Sequence, residues 1–319
     1  MPTFRQLQFL TALAEHGSFV RAAEAIGVTQ PTLSAGIKEL EAALEATLVE
    51  RGRTGAVLTP AGIEAAERAR RVLGDVHDLA LAVRGAGAPF AGIFRLGAIP
   101  TIAPFLLPKA LPELRRRYPA LKLQLKEDMT ARLVDALRSR ALDAAVIALP
   151  YSAHGIETET VADDEFLFLG PRGHPLADRN DLSPEHLQSE EVLLLEDGHC
   201  LREHALSVCK AAPSSQATDV GATSLATLVQ MAAGGLGVTL LPRIAAEGGA
   251  AAGADVAIRP FMQPVIGRTI GVAWRAGSAR EEEARLLAAL LREAVFKSGV
   301  TREALRPVAG APPEARGAP

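Results

Sequence analysis

The sequence predicts an all-α N-terminal module with a trailing hairpin, then a long helix, then a two-lobed α/β domain. Three observations carry this. Residues 4–44 hold three short amphipathic stretches punctuated by glycines. Residues 61–84 hold one long apolar stripe that stops at Gly85-Ala86-Gly87-Ala88-Pro89. From Ile93 to Lys297 strand-like and helix-like runs alternate, the pattern of α/β architecture.

In the first stretch Phe4, Leu7, Leu10, Leu13 and Ala14 recur at three- and four-residue spacing, and Gly17 closes the helix. Ser18 is placed to cap a second helix, Phe19 to Ala25, with Ala22, Ala23 and Ile26 inward. Gly27 makes the turn, and Thr29 caps a third helix to Leu44, with Pro31 in the first turn where it is tolerated. This is a helix-turn-helix pattern. The third helix presents Gln30, Thr32, Ser34, Ala35 and Lys38 outward and Leu33, Ile37, Leu40 and Leu44 inward, as major-groove reading requires. Leu48 to Thr59 reads as a hairpin with a glycine-rich tip, from which Arg51 and Arg53 meet backbone phosphates. Residues 1–60 hold five Lys or Arg against six Glu, so by charge alone a small three-helix interaction module is the stronger alternative.

Thr59-Pro60 caps the long helix, Ala61 to about Arg84, whose stripe is Ile63, Ala66, Ala69, Leu73, Val76, Ala80 and Val83. A second copy of the same helix is the simplest partner for such a stripe, giving a coiled-coil-like dimer. The organisation is therefore 1–60, 61–88 and 89–298, followed by a tail, 299–319, whose Ala, Pro, Gly and Arg content predicts disorder.

The C-terminal strand candidates are Ile93–Ala98, Lys122–Glu127, Ala144–Ala148, Glu165–Gly170, Val192–Leu195, Val238–Leu241 and Thr269–Trp274. Helical stretches lie between and after them: Pro104–Tyr118, Thr130–Ser139, Leu201–Ala211, Ser224–Ala233 and Ala279–Lys297. The alternation predicts mostly parallel strands in two lobes with a cleft between them.

With 48% hydrophobic and 22% charged residues, the 319-residue chain has the composition of an ordinary soluble protein. A net charge of −3 argues against a broad polyanion-binding surface but not against a small one. At 4% aromatic content, stacking platforms for single-stranded nucleic acid are not the main device. No long apolar run opens the chain, which predicts a cytoplasmic protein with no membrane partner.

Cys200 and Cys209 are the only cysteines. In a reducing compartment such a pair points to redox or metal chemistry rather than a permanent staple. Metal is the weaker option, because Cys200, Cys209, His199 and His204 lack the spacing of a structural zinc site. The residues between the cysteines favour helix, which would separate them by roughly 13 Å at about 1.5 Å per residue, whereas a disulfide needs Cα atoms within about 7 Å. Closing the bond would then remodel the segment. On spacing alone, a switch and two unrelated buried thiols stand level.

Residues Phe9 to Leu58, with Ala23-Glu24-Ala25, Thr29-Gln30-Pro31-Thr32-Leu33-Ser34 and Ile37-Lys38-Glu39-Leu40-Glu41, resemble the winged helix-turn-helix of LysR-type transcriptional regulators. To about Lys297 the chain is similar to the hydrogen-peroxide-sensing branch of that family, through Gly198-His199-Cys200-Leu201-Arg202 with Cys209, Ala222-Thr223-Ser224-Leu225-Ala226-Thr227-Leu228 and Gly237-Val238-Thr239-Leu240-Leu241-Pro242. The resemblance implies a regulatory domain of the periplasmic-binding-protein type. It implies that Cys200 is oxidised first, to a sulfenic acid, and that Cys209 then condenses with it into an intramolecular disulfide. It places Thr101, Thr130, His199 and Arg268 around the peroxide, the arginine favouring the thiolate and the hydroxyls aligning the oxygens. It implies double-stranded promoter DNA, RNA polymerase, a homodimer or homotetramer, and a thiol reductant such as glutaredoxin or thioredoxin, with no cofactor, no metal and no enzymatic role.

Without the resemblance, Thr101 and Thr130 read as helix caps, His199 as a turn residue and Arg268 as half of a surface salt bridge. Many relatives carry a polar or basic residue near the place of Gly36 and a basic one near Glu39; here Lys38 is the helix's one cation. Three other readings of the chain are a regulator with an organic effector in its cleft, a thiol-dependent peroxidase, and a two-lobed solute-binding protein, the last disfavoured by the missing export signal.

Overall fold

The computed structural model describes residues 1–52, 55–83, 89–208, 222–262 and 265–297. Cys209, Arg53 and the tail 299–319 lie outside them. The chain divides into two compact units, Met1–Gly87 with Arg138–Ala141, and Ala88–Leu137 with Leu142–Pro319.

In the first unit, α1 (Phe4–His16) opens with a capping box: the Thr3 hydroxyl accepts from the Gln6 N–H, and the Gln6 side chain accepts from the Thr3 N–H at 2.8 Å. It closes at Gly17 in the left-handed region. Ser18 occupies the cap position of α2 (Phe19–Ala25) without making a side-chain cap bond. The hydroxyl of Thr29 does cap α3 (Gln30–Leu44), accepting from the Thr32 N–H. Phe9, Leu10, Leu13, Ala22, Ala23, Leu33, Ile37 and Leu40 form the core. Leu44, expected inward, is 41% exposed, because the helix ends there and Glu45 turns left-handed. The hairpin is β1 (Val49–Gly52) and β2 (Gly55–Leu58), paired antiparallel. The Glu41 carboxylate anchors it by accepting from the Leu48 and Val49 N–H groups. Thr59 caps α4 (Pro60–Val83) by accepting from the Gly62 N–H. The expected stripe divides: Ala66 and Ala69 are buried, whereas Ile63 and Val76 are exposed, as are Val72 and Leu79 outside it.

The second unit runs β3 (Gly92–Ala98), α5 (Ala103–Arg117), β4 (Leu121–Glu127), α6 (Thr130–Arg138), β5 (Ala144–Leu149), β6 (Ile156–Pro171), α7 (Cys200–Val208), α8 (Leu225–Ala233), β7 (Thr239–Pro242), α9 (Arg243–Glu247), β8 (Val256–Pro260), β9 (Gly267–Arg275) and α10 (Glu281–Lys297). The sheet order is β4-β3-β5-β9-β6-β7, with β8 also on β6. Two pairings, β3 with β4 and with β5, are parallel, and the other four are antiparallel, correcting the expectation of mostly parallel strands. Alternation of strands and helices does not encode direction, and the long strands β6 and β9 run antiparallel from one lobe into the other. β6 begins at Ile156 rather than Glu165. Val192 and Leu195, expected in one strand, form only isolated bridges to Val238 and Ala222.

Each lobe has its own core. One gathers Phe90, Phe94, Leu96, Val146, Ile147 and Trp274 under α5 and α10. The other gathers Phe166, Phe168, Leu193, Leu228, Leu240 and Leu241. β6 supplies Val161 and Ala162 to the first and Phe166 and Phe168 to the second, which makes it a shared spine. Among the described residues no helix is long and apolar enough to cross a membrane.

Candidate functional site

Because β3 and β4 pair parallel with Ala98 opposite Glu127, the segments leaving their carboxyl ends emerge side by side. Such ends are where open α/β sheets present their loops to ligands. Ile99, Pro100 and Thr101 come from the first segment, Met129 and Thr130 from the second. Gly198, His199 and Cys200, at the start of α7, face them. Together these residues line a pocket of about 170 Å3, its open mouth included.

At its base the Thr130 hydroxyl and the Cys200 sulfur lie 2.7 Å apart. Thr130 is buried and Cys200 half-buried. The cysteine packs against the first lobe's core, while Leu201 and Ala205 on the same helix are buried in the second. The turn into α7 is pinned by Arg202, whose guanidinium donates to the Leu195 carbonyl at 3.1 Å and pairs with Asp197 at 2.9 Å. Gly198 has φ +91°, in the left-handed region, and a Cβ there would lie 2.7 Å from the Met129 sulfur. The backbone conformation therefore favours glycine, and a side chain there would have to move the Met129 thioether.

Arg268 stands behind the pocket and is 1% exposed, not the surface ion-pair residue of the alternative expectation. It donates to the Thr101 hydroxyl at 2.7 Å, to the Thr101 carbonyl at 3.0 Å and to Asp164 at 3.0 Å. Asp164 also accepts from the Ile244 N–H. Burial pushes the Asp164 carboxyl up, opposed by the Arg268 charge and these hydrogen bonds. Its hydrogen bonds run to Thr101 and Asp164, so it holds the threonine in place. With Thr101 Oγ1 accepting from Arg268, the hydroxyl proton is left to donate into the pocket.

His199 is 6% exposed, and burial holds its imidazole below the usual range. His204, one turn into α7, bonds through Nδ1 to the Cys200 carbonyl at 2.7 Å, and burial lowers its pKa as well. The threonines do not act as caps here: the α5 cap position falls to Ile102, and the Thr130 hydroxyl is committed to sulfur. The structure thus brings Thr101, Thr130, His199 and Cys200 together, with Arg268 behind Thr101. Cys209 lies outside the described residues.

On α3, Gln30, Thr32 and Lys38 are exposed and Ser34 is half-buried. Gly36 lies directly against the buried Phe9 ring, so a larger residue there would have to displace that ring. Arg51 sits on β1; Arg53 lies outside the described residues. Three contributors escaped the sequence reasoning: Met129, Gly198 as a packing partner, and Asp164. The last left a signal, an acidic run, Asp163-Asp164-Glu165, leading straight into the apolar Phe166-Leu167-Phe168-Leu169.

Residues 4–63 match the bacterial regulatory helix-turn-helix protein model of the lysR family, and residues 87–295 match the LysR substrate binding domain. A probable hydrogen peroxide-inducible genes activator from Streptomyces viridosporus is 42% identical over 295 residues, 92% of this chain and 95% of that one. Among solved structures, full-length OxyR of Pseudomonas aeruginosa, in a cysteine-to-aspartate form, is 36% identical with a TM-score of 0.77, covering 91% of this chain and 94% of that one. A cysteine-to-serine mutant of Corynebacterium glutamicum OxyR with hydrogen peroxide bound is 32% identical with a TM-score of 0.64, covering 93% and 96%.

Proposed function

Since this chain belongs to the LysR family of transcriptional regulators, we propose that it senses hydrogen peroxide through Cys200 and transmits the result to promoter DNA. The observation that carries this is the 2.7 Å contact between Thr130 and Cys200 at the base of a pocket also lined by Thr101 and His199. The similarity to hydrogen peroxide-inducible activators and to a peroxide-bound OxyR supports it.

The Cys200 thiolate attacks one peroxide oxygen, the O–O bond breaks, and the other oxygen leaves as water after taking up a proton. Sulfur is oxidised to sulfenic acid and peroxide is reduced. Thr101 donates to a peroxide oxygen, Thr130 Oγ1 accepts from the peroxide O–H while its own proton goes to the sulfur, and Cys200 opens α7, where the helix N-terminus favours the thiolate. The Cys209 thiol then displaces water from the sulfenic acid to form the disulfide. Because α7 is helical from Cys200 through Val208, its ends stand about 12 Å apart along the axis at ~1.5 Å per residue. Bond formation therefore requires α7 to unwind, withdrawing Leu201 and Ala205 from the second core.

The output is DNA binding by a homodimer or homotetramer, with α3 reading the major groove through Gln30, Thr32, Ser34 and Lys38 and the hairpin arginines Arg51 and Arg53 on phosphates. RNA polymerase is the downstream partner, and a cytoplasmic thiol reductant of the glutaredoxin or thioredoxin kind restores the pair. Mass spectrometry of Cys200 and Cys209 after brief low peroxide, run beside a DNA footprint, tests this. The disulfide is expected with a shifted footprint; a disulfide with no change in footprint sinks the mechanism.

A further inference from the structure

We infer that Met129 sets the size selectivity of the peroxide pocket, admitting hydrogen peroxide and turning away alkyl hydroperoxides. This rests on Cys200 being the reacting thiol. The pocket's other walls are fixed. Ile99, Thr101, Thr130 and His199 are each no more than 6% exposed, Thr101 is held by Arg268, and Thr130 is held by Cys200. Pro100 and Gly198 have no side-chain freedom to yield. Met129 is different: half-buried, unbranched, and rotatable about several bonds.

Its stem is nonetheless held. The Met129 N–H donates to the Asp128 carboxylate at 2.9 Å, and its carbonyl accepts from the Leu133 N–H at 3.0 Å in the first turn of α6. From that stem the thioether reaches across to Gly198, two residues before Cys200, where the missing Cβ makes room for it. The sulfur thereby bridges the α6 and α7 sides of the pocket. Hydrogen peroxide, with hydrogen on both oxygens, needs only the polar groups of Thr101 and Thr130 beside the sulfur. A branched alkyl group on one oxygen has to occupy the space the thioether fills.

Sulfenic acid formation at Cys200 of the full-length chain, followed by rapid quench and mass spectrometry, gives rate constants for hydrogen peroxide and for tert-butyl hydroperoxide. The informative quantity is their ratio in wild type, Met129→Ala, Met129→Val and Met129→Leu. The alkyl-to-hydrogen peroxide ratio is expected to rise about tenfold or more in Met129→Ala and less in Met129→Val, while Met129→Leu stays within about twofold of wild type, the scale at which pocket size discriminates. An unchanged ratio in Met129→Ala overturns the size role, and so does an equal rise in Met129→Leu, which would assign the effect to sulfur. Failure of wild-type Cys200 to react with either peroxide overturns the underlying site. If the size role alone fails, the hydrogen peroxide reaction stays in place and the ratio is unmoved in Met129→Ala.

Discussion

The side-chain oxygen of Thr130 and the sulfur of Cys200, 70 positions apart in sequence, are in hydrogen-bond contact at 2.7 Å. Either atom can donate while the sulfur is a thiol; once it is a thiolate, only the hydroxyl can. The contact therefore responds to the charge on sulfur: beside a thiolate the threonine proton points at the sulfur and the threonine oxygen is left to accept.

Replacing Thr130 by Val keeps the shape and removes the donor. The rate of Cys200 oxidation by hydrogen peroxide is expected to fall about 10²-fold, the usual cost of one aligned donor. Thr130→Ser should recover most of it. Stopped-flow mixing with peroxide measures both.

Asp164 and Arg268 form a buried pair, 2% and 0% exposed at their side chains. Arg268→Met leaves the carboxylate buried without its cation and should cost about 3–5 kcal/mol of stability, and adding Asp164→Leu should return part of that. Urea unfolding midpoints report the difference. The single variant should also react more slowly with peroxide, since Thr101 loses its anchor.

Burial lowers the pKa of both His199 and His204 in the folded chain. The unfolded chain thus binds more protons near and below the ordinary histidine value of about 6.5, and these residues contribute stability above that pH that is lost as pH falls through it. Asp164, shifted up by burial, contributes with the opposite sign. Unfolding midpoints between pH 7.5 and 5 should fall toward acid in the wild type, and the fall should be shallower in His199→Gln/His204→Gln, which leaves Asp164 unaltered.

Lys38 is exposed on α3 with no ion-pair partner among the described residues. Lys38→Ala should weaken DNA binding across sequences and reduce the slope of log affinity against log salt by about one. Fluorescence anisotropy with duplex DNA at several salt concentrations gives the slope.

Ile63, Val76 and Leu79 expose apolar surface along α4. Ile63→Glu/Leu79→Glu is expected to shift the protein toward monomer in light-scattering chromatography and to weaken operator binding, without a loss of fold in the first unit, whose core uses Ala66 instead.

The first unit was largely legible in its sequence, because local signals decide it: Thr3 and Thr29 cap, Gly17 stops a helix, and Leu33, Ile37 and Leu40 repeat at helical spacing. The second unit was less so. Ile156 to Asp164 alternates Glu and Thr with little apolar content, so half of the longest strand was missed, and no local pattern told β9 to run antiparallel. Cys200, Thr101, Thr130, His199 and Arg268 were placed by family resemblance. Periodicity and spacing alone left the threonines as caps and the arginine on the surface. Asp164 and Met129 act through contacts distant in sequence, which a single chain read residue by residue does not display.

The first turns of α7 touch both lobes, with Cys200 on one core and Leu201 and Ala205 in the other. Under the proposed mechanism, chemical reactivity and trigger threshold are therefore separable properties. In that mechanism the pocket would govern how fast the thiol meets its oxidant, while the packing of the core that holds Leu201, with Leu193 and Phe166, would govern how readily the helix lets go. Two chains with identical pockets would then answer different doses of the same oxidant, their sensitivity calibrated by interior volume remote from any reacting atom.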